Sequence, residues 1–160
     1  MTPDQVATLP YRPCVGVMLI NDAGLIFAAK RIDSTAAWQM PQGGIDADEN
    51  PGVAALRELR EETSVTPDLV IPLAETRDWL AYDIPPEMVP NIWGGKFRGQ
   101  KQRWFLMRYT GQDNQIDLAT DHPEFTDWRW LQAQEMLDAI VPFKRDIYAA
   151  VIDEFSEWLA

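Results

Sequence analysis

The chain has 160 residues, enough for one domain that buries about 68–70% of its unfolded surface with no disulfide or metal needed to fold. Hydrophobic residues make up 46% and charged residues 24%, which excludes disorder over most of the length. Against 25 Asp+Glu there are 14 Lys+Arg, a formal charge of −11, which argues against coating nucleic acid through a broad basic surface but does not exclude a local basic site for one phosphorylated end.

Residues 1–11 read as a polar, Pro-containing arm, expected to be flexible, with neither the basic nor the apolar region of a signal peptide. Cys14 is the sole cysteine, so an internal disulfide and CxxC-type zinc or redox sites are excluded; its apolar surroundings make it a small buried hydrophobe. Cys14 to Ile20 reads as a buried strand, Asn21-Asp22-Ala23-Gly24 as a turn, and Leu25 to Arg31 as the returning strand of a hairpin. A short apolar piece, Trp38 to Met40, ends at Pro41-Gln42-Gly43-Gly44. Asn50 is a favoured N-cap and Pro51 suits a first helical position, so a helix runs from Pro51 to Thr63, with Val53, Leu56 and Leu59 as the face to bury.

Strands are expected at Leu69–Thr76, Trp79–Tyr82, Arg103–Tyr109 and Trp128–Leu131, with a long Pro- and Gly-rich loop from Asp83 to Gly99. Lys144 to Leu159 carries Ile147, Val151, Phe155 and Trp158 at helical steps, and most of the seven Trp are expected in the core. The pattern is a single mixed α/β (α+β) domain over 1–160. No apolar stretch reaches the roughly 18 residues of a membrane span, so no membrane partner is expected and the cytoplasm is the default location.

Glu58, Glu61 and Glu62 stand at i, i+3 and i+4, where a helix gathers three like charges at a cost of a few tenths of a kcal/mol per pair. Two readings follow: a solvated acidic face, or a hard divalent cation taking carboxylate oxygens, several waters and substrate phosphates. An EF-hand over Asp46, Asp48 and Asn50 fails, because its sixth position is Pro51 and its twelfth Arg57. His122, the sole histidine, has no Ser or Cys partner arrangement to make it catalytic.

The segment Gly43 to Val65, with Glu49, Arg57-Glu58-Leu59 and Glu61-Glu62 in place, resembles the Nudix box of Nudix hydrolases. One position departs: Ser64 stands where the family usually has Gly, at a place that suits a helix C-cap with positive φ. YRPCVGVMLIN (11–21), WQMPQGGI (38–45), GQKQRWFL (99–106), Pro123-Glu124-Phe125, Trp128-Arg129-Trp130 and FKRDIY (143–148) resemble the bacterial RNA pyrophosphohydrolase branch, which is also similar to dinucleoside polyphosphate hydrolases.

The resemblance implies a Nudix α/β/α sandwich, a mixed central sheet between helices. It implies an Mg²⁺ site, with Mn²⁺ or another divalent ion as substitute, at Glu58, Glu61, Glu62, Glu124 and Gly43, and Arg57 orienting Glu61. Glu58 and Glu124 both remain open as general base. Arg12 would contact phosphate, and Phe143 would stack on the first base, with Lys144 and Arg145 beside it. Apart from the resemblance, Lys96, Arg98, Lys101 and Arg103 concentrate four cations in one loop-to-strand segment, which reads either as a substrate-binding run, with Lys101 and Arg103, that steers a polyphosphate into a cleft or as a solvated loop.

The implied activity is removal of pyrophosphate from 5′-triphosphorylated RNA, promoting mRNA decay, by a monomer with no DNA partner. Asymmetric hydrolysis of diadenosine tetraphosphate or another dinucleoside polyphosphate is the alternative. A non-catalytic Nudix-like binding module and an acidic domain that docks a basic protein are the remaining readings.

Overall fold

The computed structural model describes residues 1–33 and 37–160. The described strands are β1 (Tyr11–Ile20), β2 (Ile26–Arg31), β3 (Trp38–Gln39), β4 (Gln42–Gly44), β5 (Val70–Glu75), β6 (Leu80–Asp83), β7 (Gly99–Tyr109) and β8 (Phe125–Leu131), all in one sheet. The helices are α1 (Pro3–Ala7), α2 (Pro51–Thr63), α3 (Ala133–Ala139) and α4 (Arg145–Glu154). The central pair, β1 and β7, runs parallel from Tyr11–Gly99 to Ile20–Arg108, and the other pairs are antiparallel, so the sheet is mixed.

Strand parity splits the core into two layers. Val15, Val17 and Leu19 of β1 pack with Ala54, Ala55 and Leu59 of α2. Met18 and Ile20 face the other way, toward Trp104, Met136 of α3, and Ile147, Tyr148 and Val151 of α4. Helices on both faces of a mixed sheet give the expected α/β/α sandwich. Gly16 is required at the crossing: a Cβ there would stand 2.5 Å from the ring of Trp104, its register partner on β7.

The hairpin read from the sequence is barely a hairpin. β1 and β2 pair only at Ile20–Ile26, after which β2 pairs with β8 and β3. The N-terminal half of β1 is instead paired by β4, from Cys14–Gly44 to Gly16–Gln42. This splay opens the sheet at the end where the site lies.

Several expectations are corrected. The arm contains a helix: Thr2 and Gln5 form a reciprocal capping box, Pro3 occupies the first turn, and Val6 is buried. Val53 of α2 is 57% exposed; the buried face is Ala54, Ala55, Leu59, Glu62 and Thr63. The 83–99 loop holds short 3₁₀ turns at Pro86–Asn91 and Trp93–Gly95, and α3 was not anticipated. Among the described residues Trp104 is the only fully buried Trp, and Trp79 is exposed.

Candidate functional site

α2 is built as its sequence dictates. The Asn50 side chain accepts from the Gly52 N–H at 2.8 Å, and Pro51 fills the first turn. The helix ends at Ser64, whose φ of 67° is left-handed and whose Oγ donates to the Asp117 carbonyl at 2.8 Å. The position that the family fills with Gly therefore does need positive φ, and the serine hydroxyl adds a tie across to residue 117.

The three helix carboxylates meet three different environments. Glu61 is exposed, with 57% of its side chain accessible, whereas Glu58 is mostly covered and Glu62 is buried. Glu62 points into the sheet: one oxygen accepts from the Gln42 N–H at 3.2 Å, and the other is buried with no partner. Glu124 approaches the same place from the loop before β8 and is held by its own carbonyl, which accepts from the Ile32 N–H at 2.8 Å. Burial first, then the Glu124 and Glu58 charges, push the Glu62 carboxyl well above the ordinary range; Glu58 is also raised, chiefly by burial.

Arg57 does more than orient Glu61. Its guanidinium forks onto Glu49 through two bonds of 2.8 Å, donates to the Gly44 carbonyl at 2.9 Å and to Glu58 at 2.9 Å, and reaches Glu61 at 3.2 Å. It joins β4, the loop before α2 and the helix itself. Gly43 packs against the Glu58 carboxylate so closely that a Cβ would overlap it.

A cavity of about 760 Å³ opens beside these acids. Arg12, Arg31 and Lys144 bring cations to it, and Tyr82, Trp93 and Phe143 bring rings. The Arg12 guanidinium lies against Gly44, 5.3 Å from the Trp93 ring centroid, and donates to Cys14 Sγ at 3.2 Å. The thiol itself is buried, its pKa raised to about 11 by that burial. Phe143 rests on Tyr82 with centroids 5.9 Å apart. Glu58 and Glu124 line this cavity and also a second one, of about 980 Å³, which holds Glu61, Glu62 and His122.

The structure thus brings together Arg12, Gly43, Arg57, Glu58, Glu61, Glu62, Glu124, Phe143 and Lys144. It does not bring Lys101 and Arg103 there. Both lie on the opposite parity of β7 from Gln100, which lines the cavity; instead they flank Trp79, 5.2 and 5.9 Å from its ring, and Arg103 pairs with Glu75 at 3.1 Å. Arg98 is likewise committed, to Asp83 at 2.7 Å and to the Ala7 carbonyl. Sequence reasoning missed Arg31, Gln39, Gln42 and Trp93. The two glutamines had no signal beyond their place beside the Gly-Gly pair, and Arg31 is aimed by a register shift at Lys30/Arg31.

As they stand, no three His, Cys, Asp or Glu side chains among the described residues are arranged to hold a metal ion. The donor set nevertheless fits a hard cation. Its oxygens are carboxylates, one of them buried and orphaned, and Mg²⁺ uses one or two carboxylates plus water and phosphate in place of a complete protein cage.

The NUDIX domain family matches residues 10–151. A Roseobacter denitrificans protein named RNA pyrophosphohydrolase is 58% identical over 160 residues, covering 99% of this chain and 100% of that one. A Novosphingobium aromaticivorans protein of the same name is 52% identical over 157 residues, covering 96% and 98%. Among solved structures, the E. coli dihydroneopterin triphosphate pyrophosphohydrolase aligns with a TM-score of 0.71 at 17% identity, covering 91% of this chain and 99% of that one. A C. elegans Ap4A hydrolase binary complex aligns at 0.68 and 14%, covering 91% and 98%. These two likenesses speak to the fold.

Proposed function

This chain belongs to the NUDIX domain family, and from that premise we propose that it is an RNA pyrophosphohydrolase, which removes pyrophosphate from the 5′-triphosphate end of RNA and leaves a monophosphate that exposes the transcript to decay. The name carried by relatives 52–58% identical over nearly the whole chain supports this reading. The observation that carries it is structural: Glu58 and Glu124 form a shared wall between a carboxylate-lined cavity and a cavity of cations and rings. One side suits ions, the other a charged chain end with a base.

Glu58, Glu61, Glu62 and Glu124, with Gly43 alongside, are the residues that would hold divalent cations, Mg²⁺ or in its place Mn²⁺. Such ions supply neutralisation of the phosphate oxygens and orientation of the polyphosphate. Arg12, Arg31 and Lys144 hold phosphate oxygens from the other side. Phe143, backed by Tyr82, offers a base a stacking surface worth about 1–3 kcal/mol without selecting its identity. Either Glu58 or Glu124, both of which line the two cavities, would take the proton of the attacking water. Arg57 donates to one Glu58 oxygen, and the carboxylate lies against Gly43. The setting is a cytoplasmic monomer.

Measuring kcat/KM on triphosphorylated RNA and on diadenosine tetraphosphate tests the assignment. The RNA is expected to be the better substrate. A much larger value for the dinucleotide makes the protein a dinucleoside polyphosphate hydrolase, and inertness toward both with Mg²⁺ or Mn²⁺ present makes it a binding module.

A further inference from the structure

Arg31 closes the cationic wall of the cavity, and its guanidinium is already occupied. Nε donates to Asp33 Oδ1 at 2.8 Å and Nη2 to Oδ2 at 2.7 Å, the two-pronged geometry that a phosphate would also take. The third nitrogen reaches Gln39 Oε1 at a long 3.4 Å. The arginine is anchored: it ends β2 at the register shift, and its neighbour Ile32 is bonded to Glu124. The aspartate is the more exposed partner: 61% of its side chain is accessible, and among the described residues the other side chain that it pairs with is Arg31. It can turn into water at little cost.

We propose that Asp33 is an internal stand-in for a substrate phosphate, capping the Arg31 fork in the ligand-free protein and yielding it to an incoming polyphosphate. The inference rests on the reading of this cavity as the phosphate site. Its consequence is a threshold. An anion gains Arg31 only by outcompeting a carboxylate held two residues away, so a chain end with many charges is favoured over one with few. Triphosphate substrate is admitted, and monophosphate product is released as Asp33 returns. Asp33 also offsets the mutual repulsion of Arg31 and Lys144, which line the same cavity.

Calorimetric binding of inorganic pyrophosphate and of AMP, without added metal, tests this on the full chain. An exposed ion pair is worth up to about 1 kcal/mol, so Asp33→Asn is expected to tighten pyrophosphate binding by about 2- to 5-fold. AMP should gain more than pyrophosphate does, and product inhibition by AMP should strengthen in steady-state hydrolysis; equal gains would overturn the threshold. Asp33→Glu should retain the wild-type affinities, and Asp33→Asn in an Arg31→Gln background should show no gain. Unchanged or weaker binding by Asp33→Asn means that Asp33 merely positions Arg31 and overturns the inference, while RNA hydrolysis by the wild type leaves the reading of the site standing. Absence of pyrophosphate binding in wild type and variant alike overturns both.

Discussion

Gly43 lies directly under the Glu58 carboxylate, so that a methyl group on Gly43 and the two oxygens of Glu58 cannot occupy their places together. The backbone at Gly43 does not adopt positive φ, so the constraint is contact alone. Gly43→Ala is expected to leave the fold intact and displace Glu58, lowering kcat by about 10²-fold. Steady-state kinetics beside a thermal melt check this; a fully active Gly43→Ala enzyme would show that the position of Glu58 is not needed.

Arg57 holds β4, the preceding loop and α2 in one charged cluster. Arg57→Ala should destabilise by about 2 kcal/mol, the scale of hydrogen bonds to charged groups, and depress activity beyond that loss. Arg57→Lys keeps charge without the fork and should fall between. Urea unfolding of the three proteins gives the comparison.

Lys144 is buried with its amine 5.8 Å from the Tyr82 ring centroid, and that amine is pushed down to about 8, by burial first and then by Arg31. Two opposite trends follow. Above about pH 8 the folded protein loses this cation, so KM for an anionic substrate should climb while kcat holds. Between that pH and the ordinary lysine range, the unfolded chain binds the extra proton, so this group makes the fold more stable as pH rises. Arg31→Gln should move the KM limb to higher pH, and Lys144→Met should remove it. Kinetics and melts across pH 6.5–10 in the three proteins read both trends.

Ser64 combines a left-handed φ with a hydrogen bond to Asp117. Ser64→Gly relieves the first and loses the second, so its stability should stay within about 1 kcal/mol of wild type. Ser64→Ala keeps the strain without the bond and should be less stable than either, a ranking that denaturant midpoints will show.

The bounds of the box helix were legible because its start is local, at Asn50 and Pro51, and because the resemblance places a C-cap at Ser64; its buried face was not, since Val53 is exposed. The helix in the N-terminal segment carried an equally local signal, Thr2 and Gln5 three residues apart, behind a composition that looked merely polar. The basic run misled because strand parity is invisible in composition. Gln100 faces the cavity while Lys101 and Arg103 turn to the other side of β7, and that choice is set by its register against β1. Glu62 looked like one of three equivalent acids; only the sheet packed over it by tertiary contact makes it buried and raised, with one oxygen unpartnered. Arg31 was hidden for a related reason, since a register shift between strands far apart in sequence aims it.

The most direct measurement follows the label from RNA carrying a γ-labelled 5′-triphosphate, incubated with wild-type protein and with Glu62→Gln in Mg²⁺. Release as pyrophosphate by the wild type, and none by a folded Glu62→Gln, is the predicted result. Label leaving as orthophosphate, or remaining on the RNA with Mg²⁺ or Mn²⁺ supplied, would contradict the assignment.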